Sequence, residues 1–455
     1  MSQHLLPQVV QRLGEKPLND NIRERAAWHL LDWLGCAAIG KDSPAGHAMQ
    51  AMASEHNGHG VTRILASDSN WVDAISHNAA IGNVLEMDDI HRSSILHPGP
   101  VVVPVALAMA QYKGASMATM LEAIVLGYEI NIRLGKAIGR SHYQFFHNTS
   151  TCGSAGAAMA AAHVLGLSPA QTVSAIANAV SRTGGLWQMR HENCQTKQWH
   201  NAEAARSGAQ AAVLAEHGLS GPASILEGSQ GWFNAMSKDA KPEAMLEESE
   251  HWLIEETSFK PWPACRHAHP SIDACLSVKD KLPGAEHIES IVLEVYRDAK
   301  VFCDNSSPQT ELQAKFSIQH GVAAALVWGE PELEHYQLTR LHHPEVVAIR
   351  NKVVVQESKL IERAYPNAYG AKIKVIHYNG EIQSFYLPHT LGDPERPMSP
   401  VQLRRKAETL MAEAKVGNST RAALTSLGWS QDKDLDQLTC LIGQMHASRK
   451  STSKG

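Results

Sequence analysis

The chain has 455 residues, 41 Lys+Arg against 46 Asp+Glu for a formal net charge of −5, and 44% apolar but only 19% charged residues. That length predicts two or three domains, or one large domain with a smaller companion, around a large buried core. No domain-sized basic block is present, which excludes a nucleic-acid role, and near-average Gly and Pro exclude a collagen-like or low-complexity polymer.

Up to the segment FKPWPACRHAHP (259–270), helix follows helix. Residues 22–39 carry apolar side chains at helical spacing behind a polar Leu-Asn-Asp start, and 104–112 and 117–138 continue the pattern. Two Ala- and Gly-rich helices over 154–185 meet at Gly-Leu-Ser-Pro, with Ser168 the N-cap and Pro169 the first helical residue. A third helix is predicted over 202–217, its small side chains suited to close packing.

The texture changes after Pro270. Short β-branched runs at 290–296 and 352–356 read as strands, and 314–328 as a helix ending at Gly329. Alternating runs at 372–378 and 381–387 around Asn379-Gly380 predict a hairpin with a type I′ turn. Helix returns at Ser399-Pro400 and runs to about 414, and the tail 447–455 is expected to be disordered. The fold class expected is mainly α with α+β. A large all-helical domain is formed by both chain ends (1–269 and 397–455) around an inserted, smaller α+β domain (270–396). There is no Walker A loop, no Rossmann glycine fingerprint and no internal repeat.

The seven cysteines include no C-x-x-C pair, which predicts reduced thiols and argues against a locally spaced iron–sulfur cluster. The N-terminus lacks a signal-like apolar run, and the most apolar stretch, 100–110, is too short for a bilayer. A cytoplasmic protein without membrane or nucleic-acid partners is expected.

Four segments concentrate titratable groups. EMDDIHRSSILHPG (86–99) holds Glu86, Asp88 and Asp89 with His91 and His97, an inventory for acid–base chemistry. Asp with His also suggests a metal, but no H-E-x-x-H or H-x-x-x-H spacing supports one. FHNTSTCGS (146–154) reads as a polar loop feeding a helix N-terminus, where backbone N–H groups attract anions, with His147 an acid–base candidate. TKQWH (196–200) places Lys197 ahead of the helix carrying Arg206, as a carboxylate partner. In 259–270, Lys260, Arg266, His267 and His269 crowd together, and such cations repel unless an anion joins them. The set suits a substrate with two or three carboxylates that loses a proton beside one of them, through an enolate-like intermediate stabilised by cations. Dehydration, decarboxylation and epimerisation all follow from that intermediate, and the residues leave the three open.

The same segments resemble the MmgE/PrpD family, which includes 2-methylcitrate dehydratase, cis-aconitate decarboxylase and iminodisuccinate epimerase. The likeness runs from WHLLDWLGCAAIG (28–40) through NVLEMDDIHRSSILHPG, FHNTSTCGSAGAA, KPWPACRHAHPSIDA and AKFSIQHGVAAAL to LGDPERPMS (391–399). It implies a helical domain from both chain ends with an α+β insertion, a homodimer, and catalysis with no cofactor, metal or iron–sulfur cluster. By this resemblance Glu86 and Asp89 belong to an acidic loop, and His97 is the histidine of a His-Pro motif. His147, Lys197 and Lys260 match active-site positions, and His269 precedes the Ile-Asp-Ala signature. The chain departs from the pattern in two places. Gly99-Pro100 follows His97-Pro98 where Ser-Asp is usual, and Cys265 stands where members similar to the animal cis-aconitate decarboxylase have histidine.

The function expected is a cofactor-free lyase on a small polycarboxylate, first a dehydratase of a 2-methylcitrate-like acid. Alternatives are a cis-aconitate decarboxylase-like activity or an iminodicarboxylate epimerase. Beyond these stand a metal-dependent hydrolase using Asp88, Asp89, His91 and His97, and an inactive binding protein. His97 or His147 is the expected base, with Lys197 catalytic and Glu86 or Asp89 orienting a histidine or shuttling protons. Lys260, Arg266, His269 and Cys265 are expected to bind substrate.

Overall fold

A computed structural model of the chain describes residues 4–56, 58–192, 194–282, 284–427 and 435–452. The chain divides into two compact units. The first comprises Met1–Val84, Asp88–Thr257 and Ser399–Gly455, and the second comprises Leu85–Met87 and Ser258–Met398.

The first unit is helical. Its centre is the Asn148–Val164 helix, which packs on Gly99–Lys113, Met117–Ile138, Pro169–Val180 and Thr196–Glu216. Small side chains make this possible: a Cβ at Gly208 would lie 2.4 Å from both the Ala157 Cβ and the Ser154 carbonyl oxygen. The two axes approach to a distance that only glycine allows. Ser168 caps the Pro169–Val180 helix through a full capping box with Gln171. The Asp20–Gly40 helix is capped by Asn19 and packs against Pro400–Glu413 from the far end of the chain.

The second unit carries a four-stranded sheet in the order Val353–Glu357, Ile288–Val295, Ala371–His377, Ile382–Leu387. The first pair is parallel and the other two are antiparallel. Burial alternates along Ala371–His377, with Ile373 and Val375 inward and Lys372 and Lys374 outward, as a one-sided sheet requires. The His269–Lys279 and Ile318–Trp328 helices pack on each other, the first also against the two antiparallel strands and the second against Val353–Glu357.

Several local expectations need correction. The segment 148–154 is the buried start of a helix, not a loop. Its small polar side chains serve neighbouring groups: Asn148 Nδ2 donates to the Ser94 carbonyl and Thr149 Oγ1 accepts from the His97 N–H. Lys197 lies in the first turn of its helix, which begins at Thr196. The predicted helix 314–328 is two helices, Glu311–Lys315 and Ile318–Trp328, because Ser317 Oγ accepts from the His320 N–H and restarts the second. The hairpin is not closed by a type I′ turn. Only Gly380 has positive φ, the Gly380 N–H donates to His377 O, and His377 N–H donates to Glu381 O. That is a three-residue loop with glycine in the left-handed position. Finally, the Leu435–Thr452 helix extends into the tail expected to be disordered, of which 453–455 lie outside the described residues. Among the described residues, no helix is long and apolar enough to cross a membrane.

Candidate functional site

In the first unit, the loop ahead of the Gly99–Lys113 helix brings His97 against two acids. His97 Nδ1 lies 2.9 Å from the Asp89 carbonyl oxygen and 2.8 Å from Asp88 Oδ2. A carbonyl oxygen can only accept, so Nδ1 carries the proton and Nε2 presents a lone pair. Asp88 is fully buried, and Asn83 Nδ2 donates to its other oxygen at 2.6 Å. Asp88 thus faces the same ring nitrogen whose proton the Asp89 carbonyl accepts, and sequence reasoning gave it no such place. Nothing in the spacing of two adjacent aspartates says which one faces the histidine.

Asp89 serves the loop itself. Its carboxylate accepts from His29 Nδ1 at 2.6 Å, the Tyr128 hydroxyl at 2.5 Å and the Gly99 N–H at 3.0 Å. His91 turns away, with Nδ1 2.8 Å from Ser94 Oγ and Nε2 3.5 Å from Glu256.

His147 precedes the Asn148–Val164 helix and is 2% exposed, its buried Nε2 having no hydrogen-bond partner among the described residues. Burial pushes its imidazole well below the usual range, helped by the charges of Lys197, His200 and His97. His200 Nδ1 lies 3.4 Å from His147 Nδ1, so one ring donates and the other accepts. His200 is itself pushed down to about 4 by burial. It also lines a groove of about 980 Å³ together with Ser150, Gly185, Trp199, Arg206 and Leu214. Sequence reasoning missed His200, although its place at i+3 from Lys197 on one helix was a usable signal.

In the second unit, the cations of 259–270 are met by groups of the chain itself. Each has its own partner in the chain. Lys260 Nζ donates to the Glu86 carbonyl at 3.0 Å and sits 3.9 Å from its carboxylate. Arg266 pairs with buried Asp393. His267 Nδ1 lies 2.7 Å from the Tyr296 hydroxyl, and His269 Nε2 donates to the Ala264 carbonyl at 3.1 Å. Two of these partners, Glu86 and Asp393, lie far from the segment in sequence. Cys265 is buried, and its hydrogen bond with Cys303 holds its thiol below the usual range.

The donor set proposed for a metal-dependent hydrolase does not assemble. Among the described residues, three donors come within 4.8 Å of one another only at His389, Asp393 and Glu395. There Asp393 already accepts from Arg266, Ser258 and Thr390.

Comparison with known proteins gives matches across the chain. The MmgE/PrpD N-terminal domain matches residues 6–245 and the MmgE/PrpD C-terminal domain residues 262–427. The cis-aconitate decarboxylase of Mus musculus is 26% identical, over 95% of this chain and 92% of its own length. A cis-aconitate decarboxylase-like protein of Aspergillus oryzae is 24% identical over 95% of each chain. The cis-aconitate decarboxylase of Homo sapiens is 26% identical over 74% of this chain and 73% of its own.

Proposed function

The chain belongs to the MmgE/PrpD family and is a lyase of that type, and from that premise we propose that it removes CO2 from a small unsaturated polycarboxylate of the cis-aconitate kind. One observation carries the reading. Two histidines held in different ways, His97 by Asp88 and His147 with a bare Nε2, lie in the same helical unit as Lys197. The relatives are named as cis-aconitate decarboxylases, which favours decarboxylation over the dehydration of a 2-methylcitrate-like acid or an epimerisation.

In this proposal the Lys197 ammonium holds a substrate carboxylate. The bond to the departing carboxyl carbon breaks, CO2 leaves, and the electron pair passes into the unsaturated acid, whose developing charge the cation stabilises. An imidazolium of His147 or His97 then gives its proton to carbon. One carboxylate and one proton thus become a C–H bond and CO2. The substrate's negative charge raises the proton affinity of His147 and opposes the effect of its burial. The homodimer belongs to the same proposal and is read by light scattering.

The test is NMR of the purified protein in deuterated water, with a chelator present, offered cis-aconitate, 2-methylcitrate, citrate and iminodisuccinate separately. The expected result is CO2 and an unsaturated dicarboxylate carrying one deuterium, from cis-aconitate. Water loss from 2-methylcitrate without CO2 would move the assignment to a dehydratase, and exchange alone to an epimerase.

A further inference from the structure

We propose that His29, Tyr128 and Gly99 are positioning residues that act through Asp89 to fix His97 as a ring with a protonated Nδ1 and an open Nε2. The inference rests on the proposed role of His97, and its observations all lie in the first unit.

The loop from Asp89 to Gly99 is strained. Ile95, a β-branched residue, sits at φ +50°, where such a side chain costs about 1–3 kcal/mol and persists only if its surroundings hold it. A short bridge between His91 and Leu96 closes the loop, the His91 N–H donating to Leu96 O at 2.9 Å. Beside Thr149, whose hydroxyl accepts the His97 N–H, Asp89 holds the loop's far end at two points. The Asp89 carbonyl accepts the His97 Nδ1 proton at 2.9 Å, while the Asp89 carboxylate accepts the Gly99 N–H at 3.0 Å. Residue 89 therefore staples both 97 and 99. The Gly99–Lys113 helix has no side-chain cap from Pro98, so this carboxylate also serves its N-terminal N–H group.

The carboxylate holds its place because its other oxygen is filled from behind. Tyr128 donates at 2.5 Å and His29 at 2.6 Å, all three side chains being buried. Burial pushes His29 down to about 4 and keeps it neutral, so it donates from Nδ1 as a neutral ring, and the half-buried Arg25 charge stands near Asp89. Gly99 is the complement on the near side. A Cβ there would lie 2.7 Å from Asp89 Oδ1 and 3.1 Å from the Tyr128 hydroxyl, so any side chain displaces the carboxylate from its seat. The departure of this chain from His-Pro-Ser to His97-Pro98-Gly99 is thus the condition under which this clamp closes.

Two readouts test it. Long-range nitrogen–proton NMR of the imidazoles, with His97 assigned by loss of its signals in His97→Gln, should show a single Nδ1-protonated ring in the parent. Tyr128→Phe, which keeps the ring and removes one donor, should give a mixture of tautomers. Its kcat on cis-aconitate should fall about tenfold, the equivalent of one charge-assisted hydrogen bond, with KM within about twofold. Gly99→Ala should do the same or more. A parent His97 protonated on Nε2 would overturn the proposal. So would a Tyr128→Phe protein whose Tm drops while its His97 tautomer and kcat stay at parent values. Should the parent turn over none of the acids offered, the proposed reaction fails, and the NMR readout still decides the clamp.

Discussion

His97 is partly buried and His147 fully so, and the structure equips them oppositely. His97 has a carboxylate 2.8 Å behind it, which stabilises an imidazolium as it forms. Asp88→Asn keeps the shape and removes the charge, while the Asp89 carbonyl still fixes the tautomer. The expected result is a kcat lower by about 10–100-fold, within the range for general acid–base groups, with the His97 Nδ1 proton still in place by NMR. A kcat at the parent value would show that Asp88 takes no part in the proton transfer. His147 has Trp187 as its nearer ring, 4.7 Å between centroids, with His200 at 5.5 Å, and burial and Lys197 outweigh the pull of Asp88 on it. His147→Gln should cut kcat by about 10²-fold or more with the circular dichroism spectrum intact, and turnover near the parent value would remove it from the mechanism.

At the scale of elements, the joint between the two chain ends is a buried ion pair. Lys406 on the Pro400–Glu413 helix lies 2.6 Å from Asp32 on the Asp20–Gly40 helix, and both side chains are almost fully buried. Burial raises Asp32 to about 6 even against that ammonium, so desolvation outweighs attraction there. Lys406→Met leaves a lone buried carboxylate and should cost about 3–5 kcal/mol in urea unfolding. Asp32→Leu with Lys406→Met should recover most of that loss. A double variant no better than the single one would refute the account. The helices themselves were legible from caps and periodicity: Met117–Ile138 and the Ser168-Pro169 start stand as read. The pairings were not legible, because Asp32–Lys406, Arg266–Asp393 and Asp88–His97 depend on which faces meet in space. Spacing identified the candidate histidines, but their partners came from tertiary structure. The polar start of the Asn148–Val164 helix misled for the same reason, since its hydroxyls and amides serve other elements.

For the whole molecule, buried neutral histidines set the acid limit of the fold. Burial pushes His77 down to about 3 and His29, His200 and His320 to about 4, from an ordinary value of 6.5. Between those values the unfolded chain binds protons that the folded chain refuses. The stability these rings contribute is therefore complete above pH 6.5 and is lost as pH falls toward 4. Each ring in that window contributes a slope of about 1.4 kcal/mol per pH unit. Several together rival a total stability of about 5–15 kcal/mol within two units. Acid unfolding followed by tryptophan fluorescence should therefore begin below pH 6, ahead of the titration of ordinary carboxylates. His77→Gln retains a donor for the Ile64 carbonyl, which His77 Nε2 contacts at 3.3 Å, and cannot take up a proton. It should shift the midpoint to lower pH and flatten the decline in stability between pH 6.5 and 4. His320 lies in the second unit, so His320→Gln reports the same effect there. If both variants unfold with the parent's midpoint and slope, proton uptake by buried histidines is not what limits this fold in acid.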